Sequence, residues 1–81
     1  RYATPVDSTV DVPAELRRLG AGATCHLISS DPELDGREMD LDDAIDEIET
    51  RGRGTLVGCV PGRLAYYYGE DGEQRVVLHR T

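Results

Sequence analysis

The clearest pattern of hydrophobic and polar positions lies between Asp40 and Gly52. Four apolar residues there recur at the i, i+3, i+4, i+7 spacing that places them on one side of an α-helix, and acidic residues fill most of the remaining positions. The apolar residues are Leu41, Ala44, Ile45 and Ile48. Asp40 is a favourable N-cap residue, and Gly52 is a favourable residue just past a helix C-terminus. The pattern predicts an amphipathic helix from Leu41 to Arg51 with its apolar side buried.

Four other segments are rich in β-branched and apolar residues and are bounded by turn formers, as β-strands are. They run from Ala23 to Ser30, Thr55 to Val60, Arg63 to Gly69 and Gln74 to Arg80. Asp71-Gly72 separates the last two segments and is a strong hairpin signal. Pro61-Gly62 suits a type I or II turn better than a hairpin turn, so a bulge or a wider loop is expected there. The three C-terminal strands are predicted to form an antiparallel meander.

The order of these elements predicts one α+β domain. We expect an antiparallel sheet made of the strand from Ala23 to Ser30 and the C-terminal three-stranded meander, with the acidic helix packed on one face. Residues 1–12 are predicted to form an arm or an edge strand, and residues 13–81 to form the domain. The domain would begin with a short helix that starts at Pro13 and ends at Gly20. The strand order is left open by the pattern.

The alternation of side chains along the meander divides its residues between two faces. If both turns are centred, the facing pairs are Gly58 with Ala65, Leu56 with Tyr67, Tyr67 with Val76, and Ala65 with Leu78. One face then carries Leu56, Gly58, Val60, Ala65, Tyr67, Val76 and Leu78. Because Gly58 and Ala65 are small, a helix could approach closely over them. We therefore expect this face to be the core face.

The opposite face of the meander has a mixed composition. It carries Thr55, Val57, Cys59, Leu64, Tyr66, Tyr68, Arg75, Val77 and His79. Tyrosine, aliphatic and arginine side chains together are typical of protein interfaces. The predicted interaction residues are Val57, Leu64, Tyr66, Tyr68 and Arg75. Either a partner or a second copy of the chain covers this face, or the N-terminal arm and the short first helix do.

Charge is distributed unevenly along the 81 residues. The formal net charge is -7, yet residues 31–49 alone contain ten acidic residues against the single base Arg37. This local charge of -9 leaves the rest of the chain slightly basic. Excess negative charge disfavours nonspecific binding to nucleic acid or to an anionic membrane, because both require Lys and Arg to displace counterions. A basic protein partner is the better expectation.

The acidic segment partly resembles the calcium loop of EF-hands. Its candidate ligands are Asp31, Glu33, Asp35 and Asp42, with Gly36 at the position where that loop turns sharply. The departures are a proline after the first ligand, an Asp in place of the bidentate Glu, and a strand instead of a helix before the loop. A solvated loop and helix surface is the alternative interpretation.

Candidate nucleophiles are few, and none lies in a known catalytic motif. Cys25 and Cys59 lie in two predicted strands and are interpreted as small buried hydrophobic residues. Cys59 and His79 share a face of the meander, so a Cys/His pair or a metal site there is a weaker hypothesis. We assign no catalytic, metal-binding or cofactor-binding residue, and no cofactor.

The leading hypothesis is a small acidic, non-enzymatic interaction or regulatory module that forms a homodimer. It would assemble through the face that carries Tyr66, Tyr68 and Arg75, and it would bind a basic partner through its acidic segment. The alternatives are a calcium-binding module and an acidic mimic of nucleic-acid charge that binds a DNA-binding protein. The sequence contains neither an apolar stretch long enough to span a membrane nor the apolar core of a signal peptide, so we expect a cytoplasmic protein.

Overall fold

The computed structural model describes residues 3–7, 9–72 and 74–80 of the chain, with the side chain of residue 71 left aside. Its elements are β1 (Ala3–Pro5), α1 (Val12–Arg18), β2 (Thr24–Ser29), β3 (Glu38–Asp40), α2 (Leu41–Arg51), β4 (Thr55–Val60), β5 (Leu64–Tyr68) and β6 (Arg75–His79). Within these residues the strands form one antiparallel sheet in the order β1-β6-β5-β4-β2-β3. Both helices contribute to the core on one side of the sheet. The α+β prediction is confirmed.

Helix α2 has the predicted bounds, and its ends are satisfied as the sequence indicates. The Asp40 side chain accepts a hydrogen bond from the backbone N–H of Asp42 at 3.0 Å. Gly52 adopts the left-handed conformation at φ 68°, and its N–H donates to the carbonyl of Ile48 at 3.0 Å. The four apolar residues of the stripe are all buried. These four side chains are therefore the contribution of α2 to the core.

The meander has the predicted register. Gly58 pairs with Ala65, Leu56 with Tyr67, Tyr67 with Val76, and Ala65 with Leu78. The expected irregularity of the first connection is a shift in register between Gly58 and Val60, as in a β-bulge. A short 3₁₀ turn, Glu70–Gly72, joins β5 to β6.

Two short edge strands complete the sheet. β1 pairs with β6, so the described part of the N-terminal arm takes the edge-strand form that was one of its two predicted states. β3 pairs with β2 and was not predicted. Its three residues lie directly before α2 and have polar side chains on either side of Met39, which is too short a pattern to distinguish from a loop.

The assignment of the two sheet faces is corrected by the structure. The helices pack on the face that carries Val57, Leu64 and Tyr66, while Leu56 and Tyr67 lie on the uncovered face. Large side chains, rather than the small Gly58 and Ala65, provide the apolar area that the helices bury. β2 is in phase with this choice, because its buried residue Leu27 pairs with Val57.

The C-terminal cap of α2 gives a direct test of the local structure. Replacing Gly52 with alanine is expected to lower the free energy of unfolding by about 1 kcal/mol, because a Cβ is disfavoured at positive φ. The matched control is Gly22→Ala, since an added Cβ there meets nothing within 4 Å. Urea unfolding should show the first variant destabilised and the control unchanged or slightly stabilised. Equal effects would contradict the capping role.

Candidate functional site

The open face is the side of the sheet that the helices leave uncovered. Strand pairing aligns five of its apolar residues in one row across five strands. This row, here called the ridge, consists of Pro5, Val76, Tyr67, Leu56 and Ile28. Ile28 is 59% exposed and Tyr67 is 36% exposed, and these are the two large hydrophobic residues that stand out as exposed. A continuous apolar row on the surface is unusual for the solvated face of an antiparallel sheet.

A groove runs beside the ridge. In the next row Gly58 of β4 pairs with Ala65 of β5, and both side chains are too small to fill the space above the sheet. Leu78 borders this row on β6, and His26 borders it on β2. The depression that includes this row has a volume of about 330 Å³ and extends along β4 and β5 to the turn at Pro61 and Arg63. The groove thus lies beside the ridge on β4, β5 and β6.

The two ends of the open face carry opposite charges. At one end the backbone N–H of Arg80 donates to the carbonyl of Arg63 at 2.8 Å, and both exposed arginines line the depression. At the other end Glu70 Oε1 lies 3.4 Å from the backbone nitrogen of Gly54. A side chain added at Gly54 would meet this oxygen at 3.7 Å, so the carboxylate stands on the open side, opposite the buried Thr55. Along β5 the open face is therefore basic at one end and acidic at the other, while Glu38 and Asp40 add acidic residues at its β3 edge.

The interaction residues predicted from the sequence lie on the other face, inside the core. The side chains of Val57, Leu64, Tyr66 and Tyr68 are buried, with Tyr66 fully so. Both helices and the arm of the same chain cover them. The second interpretation of that face named only the arm and the short first helix, whereas α2 was expected on the opposite face. An interface through these residues would require the helices to move away. The candidate surface therefore changes to the open face.

Arg75 also lies on the core face. All three of its side-chain nitrogens have hydrogen-bond partners there. Nε donates to the hydroxyl of Tyr66 at 3.1 Å, Nη2 contacts Glu49 of α2 at 2.8 Å, and Nη1 donates to the carbonyl of Asp7 at 3.1 Å. Its side chain is only 15% exposed. Burial raises the pKa of Tyr66, against the effect of the hydrogen bond from Arg75. From the sequence, Arg75 was expected on an exposed face.

Arginines offset much of the acidic segment. The ion pairs are Arg17 with Asp42, Arg75 with Glu49, and Arg51 with Asp31, Glu33 and Glu47. Arg51 connects the end of α2 to the loop that follows β2. The backbone N–H of Glu33 and the guanidinium of Arg51 hold the pKa of Asp31 below its usual value. Part of the acidic segment therefore stabilises the fold through ion pairs between its elements.

Each of the four candidate calcium ligands already has another partner within the fold. Asp35 accepts the backbone N–H of Ser29 at 3.0 Å, and Asp42 faces Arg17 of α1. Asp31 and Glu33 share the guanidinium described above. Throughout the residues that the structure describes, no three His, Cys, Asp or Glu side chains come close enough to hold a metal ion. The geometry gives the calcium hypothesis no support.

The surroundings of the two cysteines and of His79 do not support a Cys/His pair or a metal site. Burial raises the pKa of Cys25 to about 11 and that of Cys59 to about 12, so both remain neutral thiols near pH 7. A neutral thiol is a poor nucleophile and a poor metal ligand. Strand β5 lies between the strand of Cys59 and the strand of His79. His26 stands on the open face instead, exposed beside Gly58.

Comparisons with protein-family models, with curated proteins and with solved structures found no match to the chain. In the described ranges, no helix is both long enough and apolar enough to cross a membrane. The function is therefore inferred from the geometry of the open face.

Ile28 was not predicted to be a surface residue, although the alternation of residues along β2 indicates it. In β2 the buried Cys25 and Leu27 alternate with exposed Thr24, His26 and Ile28. Placing the two neighbouring apolar residues inside would have left Ile28 outside. Its alignment with Leu56 could be read only from the pairing of β2 with β4, which joins segments separated by a helix.

The contacts of Arg75 predict a large effect of its removal. Arg75→Met should lower the free energy of unfolding by about 2 kcal/mol, because the fully buried Tyr66 hydroxyl loses its donor and Glu49 loses its ion pair. Arg37→Met is the matched control at an exposed position and should change it by less than about 0.5 kcal/mol. Urea unfolding distinguishes the two. An equally mild effect at both positions would rule out the role given to Arg75.

The lowered pKa of Asp31 predicts a pH-dependent contribution to stability. A carboxyl whose pKa is lower in the folded state stabilises the fold above its unfolded pKa, and this contribution is lost as the pH falls through the folded pKa. The difference in stability between the wild type and Asp31→Asn should be largest near neutral pH and should shrink below about pH 4. Asp46→Asn, on the exposed surface of α2, is the control. A difference that stays constant with pH would contradict the linkage.

Proposed function

We propose that this protein is a non-enzymatic interaction module and that the open face of its sheet is the binding surface. The ridge carries the proposal: five apolar side chains lie in one row across the sheet, on the side that the helices do not cover. A solvated sheet face normally alternates polar residues outward. Here the outward positions are aliphatic and aromatic, and burying them on association is favourable at about 25 cal/mol per Å² of apolar area.

The composition of the open face supports a protein partner. Aliphatic and aromatic residues form its middle, and its charged residues lie at the ends, as in protein interfaces with an apolar centre and a polar rim. Tyr67 is the aromatic residue at the centre, paired with Leu56 on one side and Val76 on the other. A contiguous exposed apolar patch of this kind is a typical mark of an interaction site.

The acidic outer surface of α2 supports a second, weaker contact with a basic partner. Asp43 and Asp46 are exposed there and have no ion-pair partner among the described residues. This charge stands on the opposite side of the molecule from the open face. The acidic surface of α2 extends over an 11-residue helix, about 16 Å long, and several of its carboxylates are paired with arginine. It is therefore a poor match for an extended row of phosphates.

Site-specific photo-crosslinking tests the proposed surface. A benzophenone amino acid at position 67 is expected to form adducts in cells that produce the protein, because Tyr67 lies at the centre of the surface. The control carries the same group at position 18, an exposed residue of α1 outside both proposed contact surfaces, and should form none above background. Mass spectrometry identifies the adduct, and the purified partner must bind the wild type and lose binding to Leu56→Glu.

The folding of Leu56→Glu is checked by urea unfolding, since Leu56 lies outside the buried core. Equal adduct formation from positions 67 and 18 would overturn the proposed surface. The same conclusion would follow if Leu56→Glu, properly folded, bound the identified partner as well as the wild type does.

A further inference from the structure

We propose that a second copy of this chain occupies the open face, with the two sheets packed face to face about a twofold axis that runs across the strands. This inference rests on the proposed function and names the partner of the same surface. Strand β5 of one copy then lies antiparallel over β5 of the other. Packed sheets are separated by about 10 Å, which the side chains of the two open faces would fill.

The shape of the open face is complementary to itself in this arrangement. When the axis passes between the ridge and the groove, the ridge of each copy lies over the groove of the other. Tyr67 then meets Ala65 of the other copy, and Leu56 meets its Gly58. These two large side chains thus each face a small one, because the two rows differ by two residues along the same strands. One surface patch serves both copies, as a twofold interface requires.

The charges at the ends of the open face match in the same orientation. Arg63 and Glu70 lie at opposite ends of β5, so antiparallel β5 strands bring the arginine end of each copy over the glutamate end of the other. Arg80 adds to the basic end, since it pairs with Arg63. The twofold axis repeats this contact, which gives two attractive pairs per dimer. A parallel stacking of the β5 strands would place like charges together instead.

The size of the open face suits a stable dimer. The Cα atoms extend over 31 × 24 × 18 Å, so the broad side of the molecule covers at most about 740 Å². A standard interface buries about 800 Å² on each partner. Nearly the whole face must take part, and this agrees with a ridge that reaches across five of the strands.

The position of the acidic helix also favours a second copy. Helix α2 packs on the far side of the sheet, so the two helices of a dimer point outward, with both sheets between them. The acidic residues of α2 are thereby kept away from the interface, which avoids the repulsion that closer contact between the two helices would cause. The acidic residues of β3, Glu38 and Asp40, lie at the edge of the open face, beside His26 and Thr24.

Sedimentation equilibrium of the purified chain at low ionic strength tests the charge pairing. The wild type should be a dimer. Arg63→Glu should raise the dissociation constant roughly tenfold or more, because the new carboxylate at position 63 of each copy would face Glu70 of the other. Adding Glu70→Arg should restore the wild-type value. Asp46→Arg, an equal reversal of charge on the outer surface of α2, should leave the dissociation constant within about threefold of the wild type, since α2 packs on the far side of the sheet from the interface.

A second variant tests the groove. Gly58→Val should fold, because an added Cβ meets only the His26 carbonyl of its own chain, at the ordinary distance of 3.5 Å. It should nevertheless weaken the dimer, since it fills the space that Leu56 of the other copy would occupy. Thr50→Val, at an exposed position of α2 on the far side of the sheet, is the control for introducing the same side chain.

The outcomes separate this inference from the proposed function. A monomeric wild type overturns the dimer, and if position 67 then crosslinks another identified protein, the proposed function stands. A dimer that Arg63→Glu leaves intact overturns the antiparallel orientation. Unchanged affinity in a folded Gly58→Val overturns the packing of ridge into groove.

Discussion

The guanidinium of Arg75 joins the arm, helix α2 and the sheet on the core face. It is held by the Tyr66 hydroxyl on the neighbouring strand, by Glu49 on α2 and by the backbone carbonyl of Asp7 in the arm. Burying an arginine without such partners would cost several kcal/mol. With them, the helix, the arm and the sheet are joined on one face. The opposite face is left as the surface from which a function can be inferred.

The parts of the fold that depend on local sequence could be predicted. The bounds of α2 follow from an N-cap and a glycine cap on either side of its eleven residues, and the register of the meander follows from the positions of its turns. Both involve contacts between residues that are close in the chain. The choice of face does not, because Arg75 finds partners 26 and 68 residues away. An arginine in an otherwise apolar strand therefore suggested exposure.

The candidate site was only half predictable for the same reason. The grouping of Leu56, Tyr67 and Val76 on one face is a matter of alternation, and the structure confirms it. Their exposure depends on where α2 packs, and the addition of Ile28 and Pro5 depends on the pairing of β2 and β1 with strands far along the sequence. Charge had drawn attention to the acidic segment, yet much of that charge is used within the fold, through Arg17, Arg51 and Arg75.

The short edge strands limit how the protein can assemble. β1 and β3 each contain three residues, and the first ends in Pro5, while the second presents Glu38 and Asp40 beside its one apolar residue. A proline removes a backbone donor from an edge, and paired carboxylates repel a second identical edge. Lateral addition of strands, the route by which sheets grow into fibres, is therefore blocked at both sides. The face of the sheet, rather than its edges, is therefore the surface left for contact with another molecule.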